Sequence, residues 1–123
     1  MRKTLAALLA LTALAGPALA APENWQTFQT KGDVEAAIDT DSVKADGALR
    51  HFRTRMGKAG DPRVAYAEME ADCAAGTLEP LRFEMFVSGK QVGTKDPLPD
   101  HKMRATAKDD EEAATVIGIV CKA

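Results

Sequence analysis

Cysteine and histidine are scarce in this chain and an excess of positive charge is lacking, and each of these three features excludes a class of protein. Its 123 residues include two cysteines, too few for a cysteine-rich zinc module, which needs about four ligands. The two histidines are isolated, so no metal-dependent motif is present. Basic residues number 16 against 18 acidic ones, which is not the positive excess of a nucleic-acid-binding domain. The length suffices for one domain and not for two.

The first 20 residues are typical of a secretory signal peptide. A positively charged start precedes an apolar stretch over 4–15, and Gly16 and Pro17 then break the helix. Small residues follow, and they predict cleavage between Ala20 and Ala21. The apolar stretch is shorter than the about 20 residues that span a membrane. No cysteine follows the cleavage site, so we expect no lipid anchor.

Removal of the signal would leave one exported domain over residues 21–123, and both cysteines lie in it. An oxidising compartment favours a disulfide between Cys73 and Cys121. Such a bond closes a loop of about 48 residues and stabilises the fold by about 4 kcal/mol in the chain-entropy model. Free thiols and a bridge between two molecules are the alternatives, although neither cysteine has a neighbouring histidine or a CxxC spacing that would activate it.

Alternating apolar and polar residues predict a series of short antiparallel strands. These strands are predicted over 24–29, 33–39, 48–56, 64–73 and 81–87. Turn-forming residues separate them, notably over 39–47, and the proline-containing stretch 91–101 is predicted to be a loop that brackets an edge strand. Residues 64–73 also favour a helix by composition, but their alternation favours a strand.

The C-terminal residues change to helical spacing. Asp109 is predicted to cap a helix, with Glu112 completing a capping box. Apolar residues then recur at intervals of three and four and form one stripe: Ala113, Val116, Ile117, Val120 and Cys121. The expected fold class is therefore α+β, an antiparallel sheet of about five or six strands with one C-terminal amphipathic helix packed on it. The disulfide would join that helix to the end of the fourth strand.

Four landmarks in this order resemble the surface-adhesin protein E family of small exported bacterial proteins. They are Trp25, the segment IDTDSV at 38–43, Asp72-Cys73 and Val120-Cys121. The resemblance spans nearly the whole predicted domain. It implies an antiparallel sheet, a C-terminal helix and a disulfide between the two cysteines. For the family's namesake it also implies attachment to host extracellular matrix.

A basic cluster on the third predicted strand is a candidate patch for an anionic ligand, such as a sulfated polysaccharide or an acidic protein. It consists of Arg50, Arg53, Arg55 and Lys58. The alternative interpretation is cross-strand pairing of these arginines with Glu68 and Glu70 on the next strand.

No other group of residues predicts a catalytic, cofactor or metal site. His51 lies among arginines, which disfavour a metal ion, and His101 lies in the proline-containing loop. Asp39 and Asp41 lack the glycine and glutamate that a calcium loop requires after them. Three glutamates are predicted to lie on the solvated face of a half-buried sheet rather than to form a catalytic pair: Glu68, Glu70 and Glu84.

The leading hypothesis is an exported, non-enzymatic envelope protein that acts as a binding or accessory module of unknown ligand, with a protein or a polysaccharide as the candidate partner. An adhesin-like protein that binds a host or extracellular ligand is the first alternative. A small periplasmic hydrolase is the second. We expect a periplasmic or secreted protein without a membrane span after signal removal, no nucleic-acid partner, no cofactor, and either a monomer or a homodimer.

Overall fold

In the part of the chain that the structure describes, seven strands form one antiparallel sheet and one helix follows them. The computed structural model describes residues 23–122; the predicted signal peptide and its cleavage site at Ala20 and Ala21 lie outside them. The strands are β1 (Trp25–Lys31), β2 (Val34–Asp46), β3 (Leu49–Lys58), β4 (Arg63–Asp72), β5 (Thr77–Val87), β6 (Lys90–Lys95) and β7 (Ala105–Thr106). A 3-10 turn covers Pro99–His101, and helix α1 covers Glu111–Val120. The predicted α+β fold is confirmed.

The first six strands lie side by side in sequence order, each antiparallel to the next. Short turns permit this order, and Ser88 and Gly89 in the β5–β6 turn both have positive φ, at 51° and 82°. The short β7 pairs with residues 77–78 at the beginning of β5, while β6 pairs with residues 83–87 at its end. The loop predicted over 91–101 is wrong for residues 91–95, which belong to β6, the edge strand that the prediction allowed for.

The turn predicted over residues 39–47 is wrong. Strand β2 continues to Asp46, and only the pairing with β3 becomes irregular, between Asp39 and Lys44. Gly47, with φ of 62°, lies in the turn that reverses the chain towards β3.

Polar side chains explain why this segment stays in the sheet. One carboxylate oxygen of Asp39 accepts hydrogen bonds from the backbone N–H groups of Asn24 and Asp41, each at 3.1 Å. The hydroxyl of Ser42 donates to the carbonyl of Asp39 at 2.7 Å and accepts from the backbone N–H of Arg53 at 2.9 Å. These residue types favour turns because they bond to nearby backbone, and here the same bonds join β1, β2 and β3.

Strand β5 begins at Thr77, before the predicted strand over 81–87, and it includes Pro80. The proline is opposite Met69, beside an irregularity in the pairing of β4 with β5. On the opposite edge of β5, residue 80 lies between residues 77–78, which pair with β7, and residues 83–87, which pair with β6. A proline has no N–H to donate, so it is tolerated at a position without a continuous ladder on both sides.

Helix α1 lies on one face of the sheet and completes the core. Its N-cap is Asp110, one residue after the predicted Asp109, and the Asp110 carboxylate accepts a hydrogen bond from the N–H of Ala113 at 3.1 Å. Ala113, Val116 and Val120 are buried, as the spacing predicted. They pack in one cluster with buried sheet residues: Ile38, Phe52, Ala71 and Leu78.

The disulfide between Cys73 and Cys121 is present. Cys73 directly follows β4, and Cys121 is the C-cap of α1. The bond therefore joins the end of the helix to the end of the fourth strand, as predicted. Among residues 23–122, no helix has the length and apolar character needed to cross a membrane.

Candidate functional site

Alternation along β3 and β4 gives the sheet two chemically different faces. Phe52 belongs to the core cluster under α1, so Thr54 and Met56, two and four residues later, share its face. Arg53 and Arg55 lie on the opposite face. We call these the helix face and the outer face, and each carries a candidate site.

Helix α1 leaves part of the helix face uncovered, and a cavity of about 250 Å³ lies beside the first turn of the helix. Its lining is mostly apolar. We call it the methionine groove and define it by six of its lining residues: Phe28, Met56, Met69, Phe83, Met103 and Val116. Met56 is 52 % exposed and Met103 is 38 % exposed, so the groove opens to solvent.

The N-terminal turn of α1 supplies the acidic groups at the groove. Asp110 and Glu112 both line the cavity. The Asp110 carboxylate is engaged as the helix N-cap, whereas the Glu112 side chain is exposed. Three polar residues of the sheet also line the cavity: Arg55, Tyr66 and the buried Thr54. The groove is thus a mostly apolar cavity with acidic residues on the helix side and Arg55 on the sheet side.

The outer face carries interleaved aromatic and arginine side chains. The guanidinium of Arg53 lies 4.2 Å from the centre of the Tyr66 ring, and that of Arg55 lies 4.4 Å from the centre of the Trp25 ring. Tyr66 also contacts Trp25 and Phe86, with ring centres 6.1 Å and 5.3 Å apart. Such cation–π contacts are worth about 0.5–1 kcal/mol each at exposed positions. We call these five residues the arginine–aromatic face.

The four residues of the predicted anionic-ligand patch do not all lie on one face of the sheet. Only Arg53 and Arg55 lie together on the outer face. Arg50 instead donates hydrogen bonds to the carbonyls of Gly47 and Leu49, at 2.9 Å and 3.0 Å. Lys58 is exposed at the last position of β3. Of the four residues of the predicted patch, two arginines therefore remain together on one face.

Carboxylates lie close to Arg53 on the outer face. Arg53 is directly opposite Glu68 in the β3–β4 register, and its guanidinium approaches Glu23 at 3.5 Å. The other residue of the predicted cross-strand pairing, Glu70, bonds to His51 at 2.8 Å. Glu84 lies opposite Tyr66 on the far side of β4. The outer face is accordingly mixed in charge.

His101 is held by Glu79 in an ion-pair cluster at the end of the sheet. Its Nδ1 atom lies 2.9 Å from Glu79, and the guanidinium of Arg104 contacts the same carboxylate at 2.8 Å. Burial raises the pKa of Glu79, but the hydrogen bonds from Arg104 and His101 outweigh it, so the pKa of Glu79 is lowered. Arg104 also lies 3.0 Å from His101 Nδ1, a position that disfavours a metal ion on that nitrogen.

Within residues 23–122, no group of three histidine, cysteine, aspartate or glutamate side chains is placed to hold a metal ion. Asp39 and Asp41, the pair that begins an incomplete calcium loop, lie in β2, where Asp39 bonds to backbone N–H groups.

Sequence reasoning placed most of the methionines in strands but missed the groove. Met56, Met69 and Met85 fall on the helix face of three neighbouring strands, and their alternation was visible in the sequence. Their gathering depends on the register of those strands and on how far α1 extends. Neither property can be read from periodicity alone.

Comparisons with protein-family models, with curated proteins and with solved structures find no match for this chain.

Proposed function

We propose that this protein is an exported, non-enzymatic binding module of the bacterial envelope, and that its ligand binds in the methionine groove. The observation that carries the proposal is the apolar cavity of about 250 Å³ that α1 leaves open on the helix face. An apolar cavity with a few polar groups at its wall is the usual form of a small-ligand site. Exposed apolar side chains at the groove are costly in a domain that has no partner for them.

The signal-like first 20 residues and the Cys73–Cys121 disulfide support export. A disulfide persists in an oxidising compartment, such as the periplasm or the cell exterior. The side chains around the groove bring together no nucleophile with an adjacent base, which favours binding over catalysis.

A neutral apolar fluorophore, N-phenyl-1-naphthylamine, tests whether the groove binds. Its emission rises when it enters an apolar cavity, and we expect saturable binding to the purified protein. Ala65→Leu adds side-chain volume at a lining position and is expected to weaken this binding at least fivefold. Val64→Leu, at the neighbouring position on the other face of β4, is the matched control and is expected to bind as the wild type does. Equal binding by both variants would contradict the proposal.

The arginine–aromatic face supports the adhesin-like alternative, in which a sulfated polysaccharide or an acidic protein binds at Arg53 and Arg55. The favouring observation is that both guanidiniums are held in place over aromatic rings on an open sheet face. If this surface binds polyanions, Arg53→Ser with Arg55→Ser elutes from a heparin column at lower salt. Lys31→Ser with Lys90→Ser removes two exposed charges elsewhere and serves as the control. Unchanged retention of the arginine variant would remove this alternative.

A further inference from the structure

The apolar surface of the methionine groove continues beyond the cavity, across the helix face of the sheet. One row of directly opposed residues on β2 to β6 carries no charged side chain, and we call it the apolar strip: Ala36, Met56, Ala65, Met85 and Gly93. Ala36, Met56 and Ala65 line the cavity. Met85, one strand further, is 41 % exposed. The groove therefore opens onto an exposed apolar surface.

Positive charge borders the apolar strip on the side away from helix α1. Lys58 lies two residues after Met56 on β3, on the same face and about 7 Å along the strand. Arg63 occupies the corresponding position on β4. The register pairs Gly57 with Val64, so Lys58 and Arg63, the next residues outward, are neighbours on adjacent strands.

An aspartate pairs with only one of these two cations. Both carboxylate oxygens of Asp61 accept hydrogen bonds from the Arg63 guanidinium, at 2.7 Å and 3.0 Å. Within residues 23–122, no carboxylate lies at ion-pair distance from Lys58. Lys31 and Lys90 extend the same row towards the two edges of the sheet. Lys58 is therefore a cation available to a ligand, and further positive charge lies on both sides of it.

The opposite wall of the groove carries negative charge. Asp110 and Glu112 line the cavity on the helix side. Arg55 also lines the cavity, but its guanidinium lies on the outer face, 4.4 Å from the centre of the Trp25 ring. An anionic group on a ligand is therefore repelled from the helix wall and attracted towards Lys58. This polarity fixes the orientation of an elongated ligand.

We propose that the methionine groove binds a single-chain amphiphile with an anionic head, the chain in the cavity and the head at Lys58 and Arg63. The inference rests on the proposed function, because it names the class of ligand that the groove takes. Methionine side chains are flexible and adapt to the shape of an alkyl chain. Fatty acids and lysophospholipids share this chemistry, and both bind without any covalent step.

Isothermal titration calorimetry tests the inference with three probes that have the same alkyl chain: decanoate, decyl phosphate and decan-1-ol. We expect the two anions to bind about fivefold more tightly than the alcohol, because exposed ion pairs contribute modestly. High salt should shrink this preference. Tighter binding of decanoate identifies a fatty acid as the source of the ligand, and tighter binding of decyl phosphate identifies a phospholipid product.

Two variants locate the head and the chain. Lys58→Glu is expected to remove the preference for the anions, whereas Lys44→Glu, the same charge change at an exposed position on the outer face, retains it. Should Lys58→Glu fail to fold, Lys58→Gln provides the test, with a preference reduced about twofold. Ala65→Leu is expected to weaken the binding of all three probes, because Ala65 lines the cavity.

The outcomes separate the inference from the proposed function. Equal affinity of the wild type for the anions and the alcohol, or an equal effect of Lys58→Glu and Lys44→Glu, would overturn the inference. If the fluorophore nevertheless binds, the proposed function stands; if neither the fluorophore nor any amphiphile binds, both are wrong. Sedimentation of the protein with phosphatidylglycerol vesicles, without binding of the single amphiphiles, would also overturn the inference and indicate a membrane surface instead.

Discussion

Glu79 shows how a single side chain of this protein depends on residues distant in sequence. It is opposite Glu70 across the β4–β5 pair, an arrangement that brings two carboxylates together. Each is matched by a histidine, Glu70 by His51 and Glu79 by His101, and Arg104 adds a second hydrogen bond to Glu79. The loop that carries His101 and Arg104 is thereby fastened to β5.

We expect Glu79→Gln to lower the free energy of unfolding by about 1 kcal/mol at pH 7, since charge-assisted hydrogen bonds here are partly exposed. The pKa of Glu79 is lowered in the folded protein, so its contribution is fully present above the unfolded-state pKa. That contribution is lost as the pH falls through the lower folded-state pKa. The stability difference between wild type and variant should therefore shrink in acid.

Thermal unfolding between pH 7 and pH 3 checks this prediction. Glu35→Gln, an exposed change on β2, is the control and should follow the wild type at every pH. A gap between wild type and Glu79→Gln that stays constant down to pH 3 would contradict the assignment.

Among the elements, helix α1 is the one most dependent on its attachments. Ten residues are too few for a stable isolated helix in water, so its order comes from packing and from its caps. Val116 and Val120 are almost completely buried against the sheet, and the Cys73–Cys121 bond holds the C-terminal end. The methionine groove exists only because α1 is fixed at this position.

Removal of the disulfide by Cys73→Ser with Cys121→Ser is expected to reduce the free energy of unfolding by about 4 kcal/mol, because the bond closes a loop with a sequence separation of 48. Urea unfolding followed by circular dichroism measures the loss. Wild-type protein treated with reductant should unfold at the same midpoint as the double variant. An unchanged midpoint in the variant would show that packing alone holds α1.

Elements with a regular period were predictable from sequence, and those shaped by particular side-chain bonds were not. β4 and α1 each repeat one apolar spacing, so their type and approximate bounds were correct. Residues 39–47 failed because Asp39 and Ser42 use their turn-forming chemistry to bridge strands. The helix cap was missed by one residue, since Asp109 and Asp110 are equivalent as sequence signals and only packing distinguishes them.

The candidate sites were predictable only in part, for a related reason. Alternation predicted that Arg53 and Arg55 lie on one face of β3, and the structure places them there. Their aromatic partners Trp25 and Tyr66 come from other strands and depend on register. The methionine groove depends in addition on the length of α1, which leaves the far end of the sheet open.

At the scale of the whole molecule, the cellular location of the protein decides whether the arginine–aromatic face or the methionine groove can bind a ligand. An adhesin must present the arginine–aromatic face outside the cell, whereas a small-molecule carrier in the periplasm needs only the methionine groove. A signal peptide over the first 20 residues, as the sequence predicts, would carry the chain across the inner membrane.

We therefore expect the native protein to be recovered in the periplasmic fraction and to resist protease added to intact cells. The same protease should degrade it once the outer membrane is permeabilised, and a known periplasmic protein measured in parallel controls for leakage. Digestion in intact cells would contradict the groove-centred proposal of a periplasmic carrier. It would then favour the arginine–aromatic face as the working surface and make the heparin comparison of the Arg53 and Arg55 variants decisive.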